Sequence, residues 1–201
     1  MPDRLLLVRH GESTWNAEHR LQGQLDPPLS ETGRQQALEL KPLVQAAGAG
    51  IPPDHVISSD LGRASQTAEL LVLRPAAFDP RWREIDIGEW GGRTAKEIDA
   101  QSDELTNWRG GPRTAPDGET WAAFTVRVSN ALEELVARGG SWLVVCHGGC
   151  IRVVTATLTG ADPLALGSPP NASLSTFELG PERRLLSYGA LPDGRLPTGL
   201  Y

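Results

Sequence analysis

The 201-residue sequence predicts an α/β fold: a three-layer sandwich with a mostly parallel central sheet and helices on both faces. Three observations carry this. Residues 5–8 (LLLV) and 142–146 (WLVVC) are unbroken apolar runs, as strands covered on both faces require. Amphipathic helical stretches alternate with strand-like ones along the chain. Both apolar runs end in a histidine followed by glycine, at the strand edge where open α/β sheets bind ligands.

The elements follow in order. After the first strand, residues 12–20 read as a short helix at most, and 22–29 (QGQLDPPL) as loop. Ser30 caps a helix with an apolar stripe of Ala37, Leu38, Leu40, Leu43, Val44 and Ala47, which stops at Gly48. Residues 55–59 (HVISS) form a short strand, and 62–73 a helix. Pro75 and Pro80 bracket a short extended piece, and 81–87 alternate as a further strand. Thr94 opens a modest helix. Residues 102–118 are read as a lid-like excursion over one face, carrying Trp108, Arg109 and Arg113. Residues 119–138 make the longest helix, stopped by Gly139 and Gly140. After the second apolar strand, 151–158 are helix and 162–166 one more helical turn. Residues 173–179 and 185–191 alternate as a late antiparallel pair at the sheet edge. All of 1–201 reads as one domain.

Composition narrows the functional classes. A net charge of −6 argues against a dedicated nucleic-acid or polybasic membrane binder, while leaving room for a small anion held by local cations. No apolar run reaches membrane-spanning length, so a cytoplasmic protein is expected. Cys146 and Cys150 match no zinc spacing and are expected to be small buried residues. No metal site is expected.

Two of the four histidines, His10 and His147, occupy equivalent strand-end positions and would face one pocket. His19 and His55 read as ordinary surface or loop groups. Arg9 beside His10, and Arg63 after the strand at 55–59, would bring two guanidinium forks to the same edge, a combination suited to a tetrahedral dianion. Either arginine alone could be a surface group. Glu84 alternates with Arg83, so one of the two can face the site. Asp86 lies on the side of Glu84, and two neighbouring carboxylates would raise one pKa, as a general acid needs.

These motifs resemble, in order, those of the histidine phosphatase superfamily, which includes the cofactor-dependent phosphoglycerate mutases. RHGESTWN at 9–16 is similar to its opening signature and SSDLGRASQTA at 58–68 to its second motif. REIDIGEWGG at 83–92 and CHGG at 146–149 resemble the third and fourth, and PPNASLSTFEL around Asn171 the closing segment. The resemblance implies metal-independent hydrolysis of a phosphomonoester through a phosphohistidine on His10, with no cofactor. Arg9, Arg63 and His147 would hold the phosphoryl oxygens, and Glu84 would protonate the leaving group. A backbone carbonyl would hold the other ring nitrogen of His10. Asn16, Gln22, Gly23 and Gly148 would add substrate contacts. The implied partner is a small phosphate ester, bound by a monomer or homodimer.

The run at 20–37 is similar to the phosphatase branch, such as the glucosyl-3-phosphoglycerate phosphatases and broad-specificity members. Arg20 could meet a substrate carboxylate there. Mutases of the family carry an arginine after the glutamate, where this chain has Ile85, and Asp86 would repel a second phosphate. Hydrolysis is therefore favoured. Phosphoglycerate mutase is kept as an alternative by Arg109 and Arg113. A non-catalytic phospho-ligand binder is the other alternative, disfavoured because every catalytic residue type is present.

Overall fold

The computed structural model describes residues 3–71, 73–75, 77–100, 115–163 and 165–193. Strand β1 (Arg4–Arg9) leads to a short helix α1 (Thr14–Ala17), then α2 (Glu31–Ala47), β2 (Val56–Ser58) and α3 (Gly62–Leu70). A two-residue strand β3 (Ala77–Phe78) and the small helix α4 (Ala95–Asp99) follow. The long helix α5 (Trp121–Arg138), β4 (Trp142–Cys146), α6 (Gly148–Thr159), β5 (Leu174–Glu178) and β6 (Arg184–Ala190) complete the order.

The six strands form one sheet in the order β3-β2-β4-β1-β5-β6. Pairings from β3 through β1 are parallel, and the late pair β5 and β6 adds on antiparallel, as its alternation predicts. β1 and β4 are central, and both apolar runs are fully buried. Alternation within them divides the core in two. Leu5, Leu7, Trp142 and Val144 pack with Phe124, Val128 and Leu132 of α5 and with Ile151 and Val154 of α6. Leu6, Val8, Leu143 and Val145 pack with Leu40 and Val44 of α2 and with Ala64 and Ala68 of α3. Burying four leucine- or valine-sized side chains per strand contributes on the order of 6–12 kcal/mol before chain entropy is counted.

Side-chain caps fix the helix starts. Ser30 accepts from the Gly33 amide at 2.9 Å, Thr94 forms a capping box with Glu97, and Thr120 accepts from Ala123 at 3.0 Å. The start of α2 lies against the turn after β1. A Cβ on Gly33 would sit 1.9 Å from the Glu12 carbonyl oxygen, so only glycine allows this approach.

Several expectations are corrected. Residues 81–87 are not a strand: a 3-10 turn at Pro80–Trp82 leads into irregular backbone and a second turn at Gly88–Trp90. The carbonyls of Arg81, Arg83 and Glu84 bond to the Arg127 guanidinium, not to a neighbouring strand. Helix α6 starts at Gly148, three residues early, and α3 ends at Leu70. The described residues of 162–166 are not helical. Leu38, counted in the stripe of α2, is exposed; Gly33, Ala37, Leu40 and Val44 face fully inward, and Leu43 and Ala47 pack partly buried against the same core. Most of the lid-like excursion, with Trp108, Arg109 and Arg113, lies outside the described residues. No described helix is long and apolar enough to cross a membrane.

Candidate active site

Strand register brings the two histidines together. Arg9 pairs with Cys146 across parallel β1 and β4, so His10 and His147 are each the first residue beyond. The His10 amide donates to the Cys146 carbonyl at 3.1 Å. The ring centroids lie 5.1 Å apart, tilted by 58°, and both side chains are buried. One tetrahedral group can touch both rings at that spacing.

His10 Nδ1 lies 2.7 Å from the Gly11 carbonyl oxygen. A carbonyl only accepts, so this contact places the proton on Nδ1 and leaves Nε2 with a free lone pair. Burial, then Arg63, then Arg9 hold the His10 pKa well below the usual imidazole range, so the ring is neutral at pH 7. His147 is lowered likewise by burial, Arg63 and His10. Its Nε2 lies 2.9 Å from Ser59 Oγ.

Two guanidinium groups supply positive charge. Arg63 is only 1% exposed and donates to the carbonyls of Gly23 at 2.7 Å and Leu25 at 2.8 Å. Burial pulls its pKa down to about 10, which keeps it charged at neutral pH. Arg9 donates to the Pro169 carbonyl. Its guanidinium packs on Gly148, the first residue of α6: a Cβ there would lie 3.5 Å from Arg9 Cζ. The Nε atoms of both arginines are buried and find no acceptor among the described residues, so each keeps a donor for an anionic ligand.

Glu84 sits in the irregular 81–87 segment. Its Oε2 accepts from the Gly149 amide and its Oε1 from the Ile85 amide, both at 3.0 Å. A Cβ on Gly149 would come within 2.1 Å of Glu84 Oε1, so glycine is needed at that position of α6. The expected pairing of Glu84 with Asp86 is replaced by a turn: Asp86 accepts from the Gly88 amide at 3.0 Å. Arg83 turns to the bidentate pair with Asp60, which holds the Asp60 carboxyl below its usual pKa.

Three of the residues expected to contact substrate, Asn16, Gln22 and Gly23, lie in the segment 13–26. Asn16 Oδ1 accepts from the Ser13 amide and from Asn171 Nδ2, at 3.1 and 3.2 Å. Asn171 also donates to the His10 and Gly11 carbonyls at 3.2 and 3.3 Å. Gln22 accepts from Ser13 Oγ at 2.8 Å, and Gly23 supplies the carbonyl that holds Arg63. Arg20 is engaged elsewhere, bonding to Glu18 and to the Gly92 carbonyl. His55 is no plain loop group: it stacks on Trp142 with centroids 3.9 Å apart. Cys146 and Cys150 are buried and free, as expected. Among the described residues, no cluster of three or more His, Cys, Asp or Glu side chains is arranged for a metal ion.

Sequence reasoning assigned no role to Ser59, Arg127 or Gly149, and met Asn171 only inside the closing segment. Arg127 is the largest of these omissions. It pairs with Glu119 at 2.7 Å and donates to three carbonyls of the loop that carries Glu84. An arginine in an amphipathic helix gives no local sign of such a task.

Comparison with known proteins places the chain in a family. A model of the histidine phosphatase superfamily (branch 1) matches residues 5–189. A relative from Enterobacter sp. (strain 638), named "Probable phosphoglycerate mutase GpmB", is 37% identical over 171 residues, covering 78% of this chain and 75% of its own. The structure of mycobacterial glucosyl-3-phosphoglycerate phosphatase in complex with VO3 superposes with a TM-score of 0.80 at 33% identity, covering 91% of this chain and 96% of that one. The structure titled "Mycobacterial hydrolase 1" gives 0.83 at 31% identity, covering 95% and 100%.

Proposed function

This chain belongs to the histidine phosphatase superfamily, and on that premise we propose that it hydrolyses a small phosphomonoester, without a metal, through a phosphohistidine on His10. The observation that carries the reading is the placement of His10: its Nδ1 is tied to the Gly11 carbonyl, which leaves Nε2 to attack, in a site shared with His147, the buried Arg63 and the half-buried Arg9.

The steps balance. His10 Nε2 forms a bond to phosphorus as the bond to the leaving oxygen breaks. Arg9, Arg63 and His147 hold the non-bridging oxygens, whose charge they meet in the transition state. Glu84 gives its proton to the leaving oxygen. The resulting carboxylate takes a proton from water, which attacks phosphorus and frees His10 and inorganic phosphate. Asn16, Gln22, Gly23 and Gly148 line the approach for the ester. Fixed cations stand where other phosphatases use a metal.

The substrate class is a sugar-glycerate or similar metabolite, in keeping with the glucosyl-3-phosphoglycerate phosphatase neighbour. The two free thiols accord with a reducing compartment, so we assign the cytoplasm. The mutase names of the curated relatives favour a second reading, phosphoglycerate mutase. One experiment decides between them. The protein is given 3-phosphoglycerate, with and without 2,3-bisphosphoglycerate, and then a panel of phosphorylated metabolites in EDTA. Inorganic phosphate release is expected. Appearance of the 2-isomer would overturn hydrolysis in favour of the mutase, and loss of all activity in EDTA would overturn the metal-free chemistry.

A further inference from the structure

We propose that Ser59 is a positioning residue: its hydroxyl donates to His147 Nε2, fixes the proton of that ring on Nδ1, and so makes a neutral imidazole a hydrogen-bond donor to the bound phosphoryl group. This rests on the reading above for the identity of the ligand, but not for the tautomer itself.

Donors and acceptors around two buried groups balance in only one arrangement. His147 Nε2 and Ser59 Oγ are 2.9 Å apart, and both residues are fully buried. Ser59 Oγ already accepts from the Leu61 amide, at 3.3 Å. Suppose His147 carried its proton on Nε2. Ser59 Oγ would then accept twice, and its own O–H would have no acceptor among the described residues. His147 Nδ1, which is buried and has no partner among the described residues, would hold a bare lone pair toward any anion placed between the rings. The opposite assignment leaves no conflict. Ser59 donates to Nε2 and accepts from Leu61, and of this pair's donors Nδ1–H alone has no acceptor among the described residues.

The sheet builds this arrangement. The Ser59 amide donates to the Val145 carbonyl at 2.9 Å, which continues the β2–β4 ladder past its last paired residues. Ser59 is therefore held beside the end of β4, where His147 emerges. The Ser58 hydroxyl cannot take over the role, because it donates to the Ser59 carbonyl at 2.8 Å. The arrangement also suits the charges. Arg9 and Arg63 match a dianion, so a second histidine that adds a donor without a third positive charge keeps the ring neutral at pH 7.

Nitrogen-15 NMR of histidine-labelled protein reads the tautomer directly, without turnover. The wild type is expected to show His147 protonated on Nδ1, and inorganic phosphate to shift that proton downfield. Ser59→Thr keeps the hydroxyl and should keep the tautomer. Ser59→Ala should move His147 toward a mixture or to the Nε2–H form. It should also weaken phosphate binding and lower kcat/KM by roughly ten- to a hundredfold, the scale of one lost oxyanion donor. Finding Nε2–H in the wild-type protein overturns the inference whether or not the variants fold. So does an unchanged tautomer in Ser59→Ala. If the tautomer is as stated and phosphate shifts it while no ester is hydrolysed, the phosphatase reading falls and the role of Ser59 stands.

Discussion

The proposed nucleophile and the proposed acid of this site are held in opposite ways. His10 and His147 stand at the ends of two central, fully buried strands, one residue beyond the paired Arg9 and Cys146. Backbone ladders on both sides fix them. Glu84 lies in a segment with no ladder, positioned by groups from elsewhere: the Arg127 clamp, the Gly149 backbone amide and the Arg83–Asp60 pair. The difference teaches where precision comes from. A group that forms a covalent bond is mounted on the stiffest element available. A group that only passes a proton tolerates a looser mount, provided polar contacts hold its backbone.

This contrast can be broken or sharpened by mutation. The largest effect is expected for His10→Ala, which removes the atom that accepts the phosphoryl group. Turnover should drop by on the order of 10⁴-fold or more, and no acid-labile phosphoenzyme should be trapped by rapid quench. Normal turnover in that variant would reject the nucleophile.

Glu84→Gln comes next, with a loss that depends on the leaving group. An alkyl phosphate should lose roughly 10²- to 10³-fold in kcat, and p-nitrophenyl phosphate much less, because nitrophenolate leaves without a proton. Equal losses on both esters would reject the acid role.

Arg127→Met tests the mount. Three loop carbonyls and a mostly buried Glu119 carboxylate would lose their donor. Stability should fall by about 2–4 kcal/mol in urea denaturation. Alkyl ester turnover should fall roughly tenfold at a temperature where the variant stays folded, while phosphoenzyme formation from p-nitrophenyl phosphate changes little. A uniform loss on both substrates would mean that Arg127 supports the whole site and not the acid alone.

The smallest effect is a stability slope with pH. Burial lowers the pKa of both His10 and His147 in the folded chain. Below about pH 6.5 the unfolded chain therefore binds more protons than the native one, so stability falls as pH drops and is unaffected above that value. Each ring contributes up to about 1.4 kcal/mol per pH unit. Denaturation at pH 7.5 and 5.5 should show the loss, and His147→Gln should reduce it. A flat profile would mean that the rings are not held neutral by burial.

How much of this was legible before folding varies by residue. The two apolar strands, the helices that open at Ser30 and Thr94, the long helix within 119–138 and the late hairpin are local patterns, and all of them formed. His10 and His147 were legible because each follows an apolar run. Glu84 was singled out on a strand alternation and an Asp86 pairing that the fold does not keep, since its segment is not a strand and Asp86 caps a turn. Ser59 and Arg127 were hidden: their partners lie 88 residues away in His147 and 43 to 46 residues away in the Glu84 loop.

The amino-acid sequence alone determined what its own neighbours can enforce: strand, helix, cap and turn, and the chemistry carried to each strand end. Only the tertiary structure decided register, tautomer and the mount of Glu84. The reason is range. Side-chain periodicity and capping act over a few residues, whereas a buried donor or acceptor must be satisfied by whatever the packed chain brings to it.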